Sequence, residues 1–165
     1  MFSIELHNIE SYKYLNLDAL AKFVLERKFK YNSNNLLIDS KQIIEVNIIF
    51  TDTKTIHRLN LEYRKIDKPT DVLSFSYNDS KSVYDILFNS KFKSQDKICI
   101  GEIYICPDIA KKNANNLNTS IDSELKLLVV HGCLHLCGYD HKQDIQAKAM
   151  EDLEDNLLNE WANVQ

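Results

Sequence analysis

The run from residue 131 to residue 141, His-Gly-Cys-Leu-His-Leu-Cys-Gly-Tyr-Asp-His, constrains the fold more than any other stretch of this chain. It contains three of the five histidines and two of the three glycines. In a helix, His131 and His135 lie one turn apart on the same face, with Cβ atoms about 5–6 Å apart. Gly138 can take a positive φ and end such a helix. The run therefore predicts a helix that stops at a sharp turn.

The same turn can bring a third histidine, His141, to the point where His131 and His135 meet. Three neutral imidazoles leave a tetrahedral zinc one open position for water, which is typical of catalytic rather than structural sites. We therefore predict one Zn²⁺ per chain, bound by His131, His135 and His141. The alternative, a core helix with incidental histidines, does not explain why ligand spacing, turn residue and helix context occur together.

The histidine spacing is also that of the long zinc-protease motif H-E-x-x-H-x-x-G-x-x-H, including its glycine at position 138. Gly132, however, stands where those proteases have their general-base glutamate, so a peptidase would lack its usual proton shuttle. A glycine inside a helix costs about 1 kcal/mol relative to alanine, so Gly132 should have a local reason. Our hypothesis is that its bare backbone leaves room for a bulky substrate over the metal.

Length and composition indicate one domain, residues 1–165, large enough for a hydrophobic core. The net charge of −4 excludes a basic field over the whole protein, so contact with nucleic acid would need a local basic surface. The first residues do not resemble a signal peptide, and no apolar run approaches the roughly 20 residues that span a bilayer. We therefore expect a cytoplasmic protein without membrane contact.

Four cysteines, at positions 99, 106, 133 and 137, offer a second set of zinc donors. On a helix, Cys133 lies about 200° around the axis from His131, at about 100° per residue. We interpret all four as small buried thiols, because free cysteine is among the most buried residue types.

Strands that mostly alternate with helices predict an α+β or α/β fold with a single sheet of about four strands, some of them parallel, and about five or six flanking helices. The metal site would lie on a core helix. Gly101, inside the last strand, predicts a bulge or a close backbone approach. Residues 78–96 form a long irregular connection, either a lid or partner contact or a mobile insertion. Strands are expected at 2–7, 43–50, 72–77 and 97–106. Helices are expected at 17–31, 108–117, 121–137 and 144–161, and a further one is expected to follow a cap at Thr51 or Asp52.

Three blocks together resemble the YbeY family of bacterial rRNA maturation factors, which are metal-dependent endoribonucleases. They are the run 131–141, the stretch L-N-L-E-Y-R-K-I-D-K-P-T-D-V-L-S-F at 59–75, and Gly-Glu-Ile at 101–103. The resemblance implies a small mixed sheet flanked by helices, and zinc held by the three histidines. It also implies single-strand-specific cleavage in 16S rRNA 3′-end maturation and ribosome quality control, with rRNA, the small ribosomal subunit and its assembly factors as partners.

The family's functionally important arginine corresponds to Arg64. A guanidinium can bind two phosphate oxygens at once and stabilise the charge that develops on a scissile phosphodiester. A salt bridge to Asp67 or Asp71 is the alternative role. Asp140 would either orient a ligand imidazole or cap the turn.

Two positions depart from the family pattern. Ile66 stands where glycine is usual, which would change the shape of the loop after Arg64. Glu102 stands where aspartate is usual, and we expect it to put a longer carboxylate near the site.

Three functions follow from these observations. The first is a zinc-dependent endoribonuclease in which metal-activated water attacks a phosphodiester. The second is a zinc peptidase, supported by the histidine spacing and opposed by Gly132. The third is a non-catalytic ribosome-assembly factor stabilised by zinc, since structural zinc can contribute about 10–16 kcal/mol of apparent binding free energy. The oligomeric state is left open.

Overall fold

Four strands form one mixed sheet. The computed structural model describes residues 2–31, 43–77, 97–139 and 144–164. Within these ranges the strands are β1 (Phe2–His7), β2 (Ile43–Phe50), β3 (Val72–Ser76) and β4 (Lys97–Ile105). Their order is β1-β2-β4-β3, with β3 antiparallel to β4 and the other pairs parallel. β3 is therefore an edge strand of the sheet that the described residues form.

The described residues also form five α-helices and one short 3-10 helix, Glu10–Leu15, which the sequence pattern did not predict. The α-helices are α1 (Leu17–Tyr31), α2 (Thr53–Arg64), α3 (Pro107–Asn116), α4 (Ile121–Leu136) and α5 (Asp144–Ala162). The predicted α+β class is confirmed, and the predicted ends of these elements differ from the observed ones by a residue or so. Among the described helices, none is both long and apolar enough to cross a membrane.

Helix α4 is buried on most of its circumference. Along β2, every second side chain is buried, as expected for a strand with one face against a helical layer. Each large apolar side chain that is fully buried stabilises the fold by roughly 1.5–3 kcal/mol. His131 and His135 are only half-buried, so they lie on the one stripe of α4 that the core does not cover. The buried residues of α4 are Glu124, Leu125, Leu128, Val129, Val130, Gly132, Cys133, Leu134 and Leu136.

The ends of α4 follow from local sequence. The Ser120 hydroxyl caps the first turn by accepting a hydrogen bond from the Ser123 backbone N–H at 3.0 Å. At the other end, Gly138 has φ +90°, and the backbone N–H of Tyr139 donates to the carbonyl of Leu134 at 3.1 Å. Gly138 also donates to His135 at 2.9 Å, which completes a Schellman motif. The prediction that Gly138 ends this helix is confirmed.

The glycine in β4 serves both predicted purposes. The pairing register between β2 and β4 shifts between Glu45 and Val46, so Ile100 is an extra, bulged residue. A Cβ atom on Gly101 would lie 2.4 Å from the backbone carbonyl oxygen of Phe75. Only a residue without a side chain allows β3 and β4 to approach this closely.

The hypothesis for Gly132 is wrong. This residue faces the sheet, and a Cβ atom on it would lie 2.6 Å from Cγ2 of Ile103 in β4. Gly132 therefore lets α4 lie close against the sheet, and it leaves no open space for a substrate.

The cysteines are only partly as predicted. Cys106 and Cys133 are buried, whereas Cys99 and Cys137 are half-buried, and none of the four is in a disulfide. Cys99 lies beside the bulge of β4, and Cys137, at the C-terminal cap of α4, packs against the main core while keeping some exposed surface. Desolvation by burial raises the pKa of the Cys137 thiol to about 12, so this thiol is neutral at pH 7.

Candidate active site

A cleft of about 860 Å³ lies between α4, the edge strand β3 and the C-terminal end of α2. Helix α5 contributes the side chain of Glu154 to the lining of this cleft. His131, His135 and Arg64, which come from distant parts of the sequence, all line this cleft. The remaining lining residues are Tyr63, Thr70, Asp71, Val72, Leu73, Ser74, Phe75, Ser76, Glu124, Leu127, Leu128 and Leu136.

The two histidines of α4 have their Nε2 atoms facing each other within hydrogen-bond distance. Their Nε2 atoms are 3.1 Å apart, and their rings are 4.6 Å apart between centroids at an interplanar angle of 76°. Two nitrogens bound to one tetrahedral zinc, each at about 2.0–2.1 Å, would be about 3.3 Å apart. The positions of His131 and His135 therefore fit a shared metal ion.

A residue that sequence reasoning missed holds one of these rings. The Nδ1 atom of His131 is 2.7 Å from Oε1 of Glu154, a buried carboxylate in α5. Because an ionised carboxylate can only accept, the Nδ1–H of His131 donates this bond. The lone pair of the neutral ring is then on Nε2, facing His135. Metal-bound histidines commonly donate their second N–H to a carboxylate in this way.

A signal for Glu154 was present in the sequence. The apolar stripe of α5 includes Met150, Leu157 and Trp161, all buried, and Glu154 occupies a position within that stripe. A charged residue in a buried stripe needs a partner, and the partner here is His131.

The third predicted ligand, His141, lies outside the described residues, as does Asp140. Both therefore stay predictions. Helix α4 precedes these two residues in the sequence and α5 follows them, and both helices contribute side chains to the lining of the cleft. Within the described ranges, no group of three His, Cys, Asp or Glu side chains is arranged to hold a metal.

Arg64 is the last residue of α2 and its side chain is exposed on the cleft. Neither predicted salt-bridge partner contacts it. Asp67 pairs with His57 at 2.8 Å, and the two carboxylate oxygens of Asp71 accept from Asn113 and from the backbone of Val72, each at 2.8 Å. Within the part of the chain that the structure describes, Arg64 therefore forms no salt bridge with Asp67 or Asp71.

A buried asparagine holds the connection that follows Arg64. Asn60 is 1% exposed, and its Nδ2 donates to the carbonyl of Lys68 at 2.8 Å. The backbone carbonyl of Asn60 accepts from the backbone N–H of Ile66 at 3.3 Å. The position of Arg64 thus depends on hydrogen bonds between α2 and the chain that leads to β3.

The expectation that Glu102 lies near the site is wrong. In β4, Ile103 faces α4, and adjacent residues of a strand face opposite sides of the sheet. Glu102 therefore faces away from the histidines, and its Oε2 accepts a hydrogen bond from the hydroxyl of Tyr104 at 2.9 Å.

Glu124 also lines the cleft, and it is a second acid that sequence reasoning missed. It precedes His131 by two helical turns, about 10 Å along the axis at 1.5 Å per residue. Glu124 is 5% exposed. Desolvation by burial raises the pKa of its carboxyl, and the negative charge of Asp71 raises it further.

Comparisons with known proteins identify the family of this chain. The sequence model described as Endoribonuclease YbeY matches residues 5–162. The endoribonuclease YbeY of Zymomonas mobilis is 34% identical over 143 residues, which cover 87% of this chain and 79% of that protein. The endoribonuclease YbeY of Shouchella clausii is 38% identical over 124 residues, covering 75% of this chain and 76% of that protein.

A solved structure shares the fold. The solution structure of a protein from Thermotoga maritima is 27% identical in sequence to this chain. It superposes with a TM-score of 0.56, over 98% of this chain and 93% of the Thermotoga maritima chain. Since the family match extends over almost all of the residues, the chain belongs to the endoribonuclease YbeY family.

Proposed function

We propose that this protein is a zinc-dependent, single-strand-specific endoribonuclease of the cytoplasm. Its substrate would be ribosomal RNA, in 16S rRNA 3′-end maturation and ribosome quality control, and its partners the small ribosomal subunit and its assembly factors. Membership of an endoribonuclease family supports the reaction class. The observation that carries the chemistry is the 3.1 Å separation of the His131 and His135 Nε2 atoms, in a cleft that Arg64 also lines.

Zinc bound by His131, His135 and His141 would supply a Lewis acid and a water with a pKa lowered to about 7. The chain's own residues would do the rest. Glu154 keeps the Nε2 lone pair of His131 directed at the shared point. Arg64 would bind two oxygens of the scissile phosphate and stabilise the charge that develops there.

One further polar group on the cleft wall is suited to a substrate. Ser74 is paired with Ile103, so it faces α4. Its buried Oγ has no hydrogen-bond partner among the described residues. A ribose hydroxyl or phosphate oxygen would satisfy it.

A zinc peptidase is the second candidate, and the position of β3 favours it. All five residues of this edge strand line the cleft, and an edge strand can pair with an extended peptide. Against this, Gly132 occupies the position of the protease base and contacts Ile103 too closely for any side chain. The ribonuclease remains the better supported function.

The decisive experiment compares an end-labelled single-stranded RNA with the same strand in a duplex. We expect the wild type to cleave only the single strand, and chelation to abolish cleavage while the circular dichroism spectrum persists and zinc restores activity. His135→Ala should lose both zinc and cleavage.

Two outcomes would contradict the proposal. Global unfolding on chelation, with no cleavage by the zinc-loaded wild type, would indicate a structural metal in an assembly factor. Casein digestion by the wild type that is absent from His135→Ala would indicate a peptidase.

A further inference from the structure

Tyr63 presents an exposed aromatic ring at the edge of the cleft. It lies in the last turn of α2, directly before Arg64, and it lines the cleft although it is 60% exposed. An exposed aromatic ring beside a cleft is a surface on which a nucleobase can stack.

The ring of Tyr63 is supported from behind by two other aromatic rings. It packs edge-on against Phe75 of β3, with centroids 4.9 Å apart and an interplanar angle of 61°. Phe75 packs in the same way against Tyr104 of β4, at 5.8 Å and 78°. Because this row of rings is anchored in the sheet, Tyr63 is oriented without being covered.

We propose that Tyr63 is a stacking subsite for an unpaired nucleobase of the RNA. The base lies on the exposed ring, and a neighbouring phosphate reaches Arg64. This inference rests on the proposed function, and it names the part of the substrate that this end of the cleft recognises. Stacking on an aromatic side chain tolerates any base, because every base has a π face.

The charges around Tyr63 suit a nucleic-acid backbone. Arg64, Lys65 and Lys68 follow it within five positions, and all three are exposed. Three acids lie in the same segment: Glu62 is exposed, Asp67 is paired with His57, and the carboxylate of Asp71 accepts from Asn113 and from the backbone of Val72. The chain as a whole has a net charge of −4, so these three exposed cations are groups that can attract phosphates which the rest of the surface would repel.

A stacking subsite also accounts for selectivity towards single strands. In a duplex, both faces of a base are covered by its neighbours, so no face is available to Tyr63. An unpaired base can leave its neighbours and stack on the ring. The role therefore appears in substrate binding and in the preference for single strands, and not in the bond-breaking step.

The test uses the zinc-loaded full-length protein and a fluorescein-labelled single-stranded oligoribonucleotide. We expect Tyr63→Leu to raise the Kd from fluorescence anisotropy and the KM of cleavage about 10-fold to 100-fold, with kcat unchanged. Tyr63→Phe keeps the ring and should stay within about 2-fold of the wild type, since the stacking face is the same. Leu61→Ala, an exposed apolar residue on the same helix that does not line the cleft, is the matched control and should change nothing.

A second measurement separates stacking from a structural role. An oligonucleotide with abasic sites should bind the wild type more weakly than the intact strand does, whereas Tyr63→Leu should bind both equally. Tyr63→Trp should bind at least as tightly as the wild type and lose fluorescence when RNA is added, which keeps the test open if Tyr63→Leu fails to fold.

Equal binding by Tyr63→Leu and Tyr63→Phe, or Tyr63→Trp emission unchanged by bound RNA, would overturn the stacking subsite alone. A wild type that neither binds nor cleaves single-stranded RNA would overturn the proposed function as well.

Discussion

Glu154 and His131 are joined by a hydrogen bond of 2.7 Å, although 23 residues separate them in the sequence. The bond connects the last helix, α5, to the helix that carries both histidines. It sets which nitrogen of His131 bears the proton and so directs the other nitrogen at His135. The C-terminal helix is thus part of the candidate active site.

Removal of this carboxylate should weaken zinc binding. We expect Glu154→Ala to lower the zinc affinity about 10-fold to 100-fold, because the His131 ring would lose its orientation. Competition with a chromophoric chelator measures this. Asp155→Ala, the exposed neighbour on α5, should keep the wild-type affinity. Equal zinc affinities for the two variants would show that Glu154 does not position His131.

Replacement of Arg64 should slow cleavage without releasing zinc. For Arg64→Ala we expect kcat to fall about 10²-fold to 10³-fold, as when a group that stabilises transition-state charge is lost. Arg64→Lys should recover only part of the rate, since an ammonium cannot bind two oxygens in one plane. The zinc content of Arg64→Ala, measured by mass spectrometry, should equal that of the wild type. The control is Arg58→Ala, at an exposed position of the same helix outside the cleft, which should cleave RNA at the wild-type rate. Wild-type rates for Arg64→Ala would exclude the phosphate-binding role.

Gly132→Ala should destabilise the protein by about 1–3 kcal/mol, because the added methyl group overpacks against Ile103. Helix propensity alone predicts the opposite, that Gly132→Ala increases the free energy of unfolding by about 1 kcal/mol. Urea denaturation decides between them. Adding Ile103→Val removes one of the atoms in conflict, so the double variant should be more stable than the sum of the single effects predicts. If the two single effects on the free energy of unfolding simply add, or if Gly132→Ala is more stable than the wild type, the close-packing explanation is refuted.

Glu124 should make stability depend on pH. Burial raises the pKa of its carboxyl in the folded protein, so the unfolded chain ionises first as the pH rises. The wild type therefore loses stability as the pH rises above about 4.5, the ordinary pKa of a glutamate carboxyl, until the pH passes the higher pKa of the folded protein. Glu124→Gln has no ionisable carboxyl at this position, so it does not lose stability for this reason over the same pH range.

The free energy of unfolding of Glu124→Gln, minus that of the wild type, should accordingly increase between pH 4 and pH 7. Urea denaturation at both pH values measures the difference. Glu62→Gln, at an exposed position of α2, should show no such trend. An identical difference at both pH values for Glu124→Gln would mean that the carboxyl is not desolvated.

Much of the fold could be predicted because its determinants are local. The spacing of apolar residues predicted the strands and helices, and Gly138 predicted the end of α4. Gly101 predicted a bulge or a close approach, but only the pairing with β2 and β3 shows that both occur, with Ile100 as the extra residue. The short helix Glu10–Leu15 has no comparable pattern and was missed.

The sequence by itself determined that His131 and His135 share one face of a helix that stops at Gly138, because helical periodicity and the backbone of glycine act over a few residues. Only the tertiary structure decided that Gly132 faces Ile103, that Glu102 faces away from the histidines, and that Glu154 and Arg64 reach the same cleft. Those placements depend on which surfaces pack together and in what register. Contacts between residues far apart in the chain arise from that packing, and no local pattern encodes them.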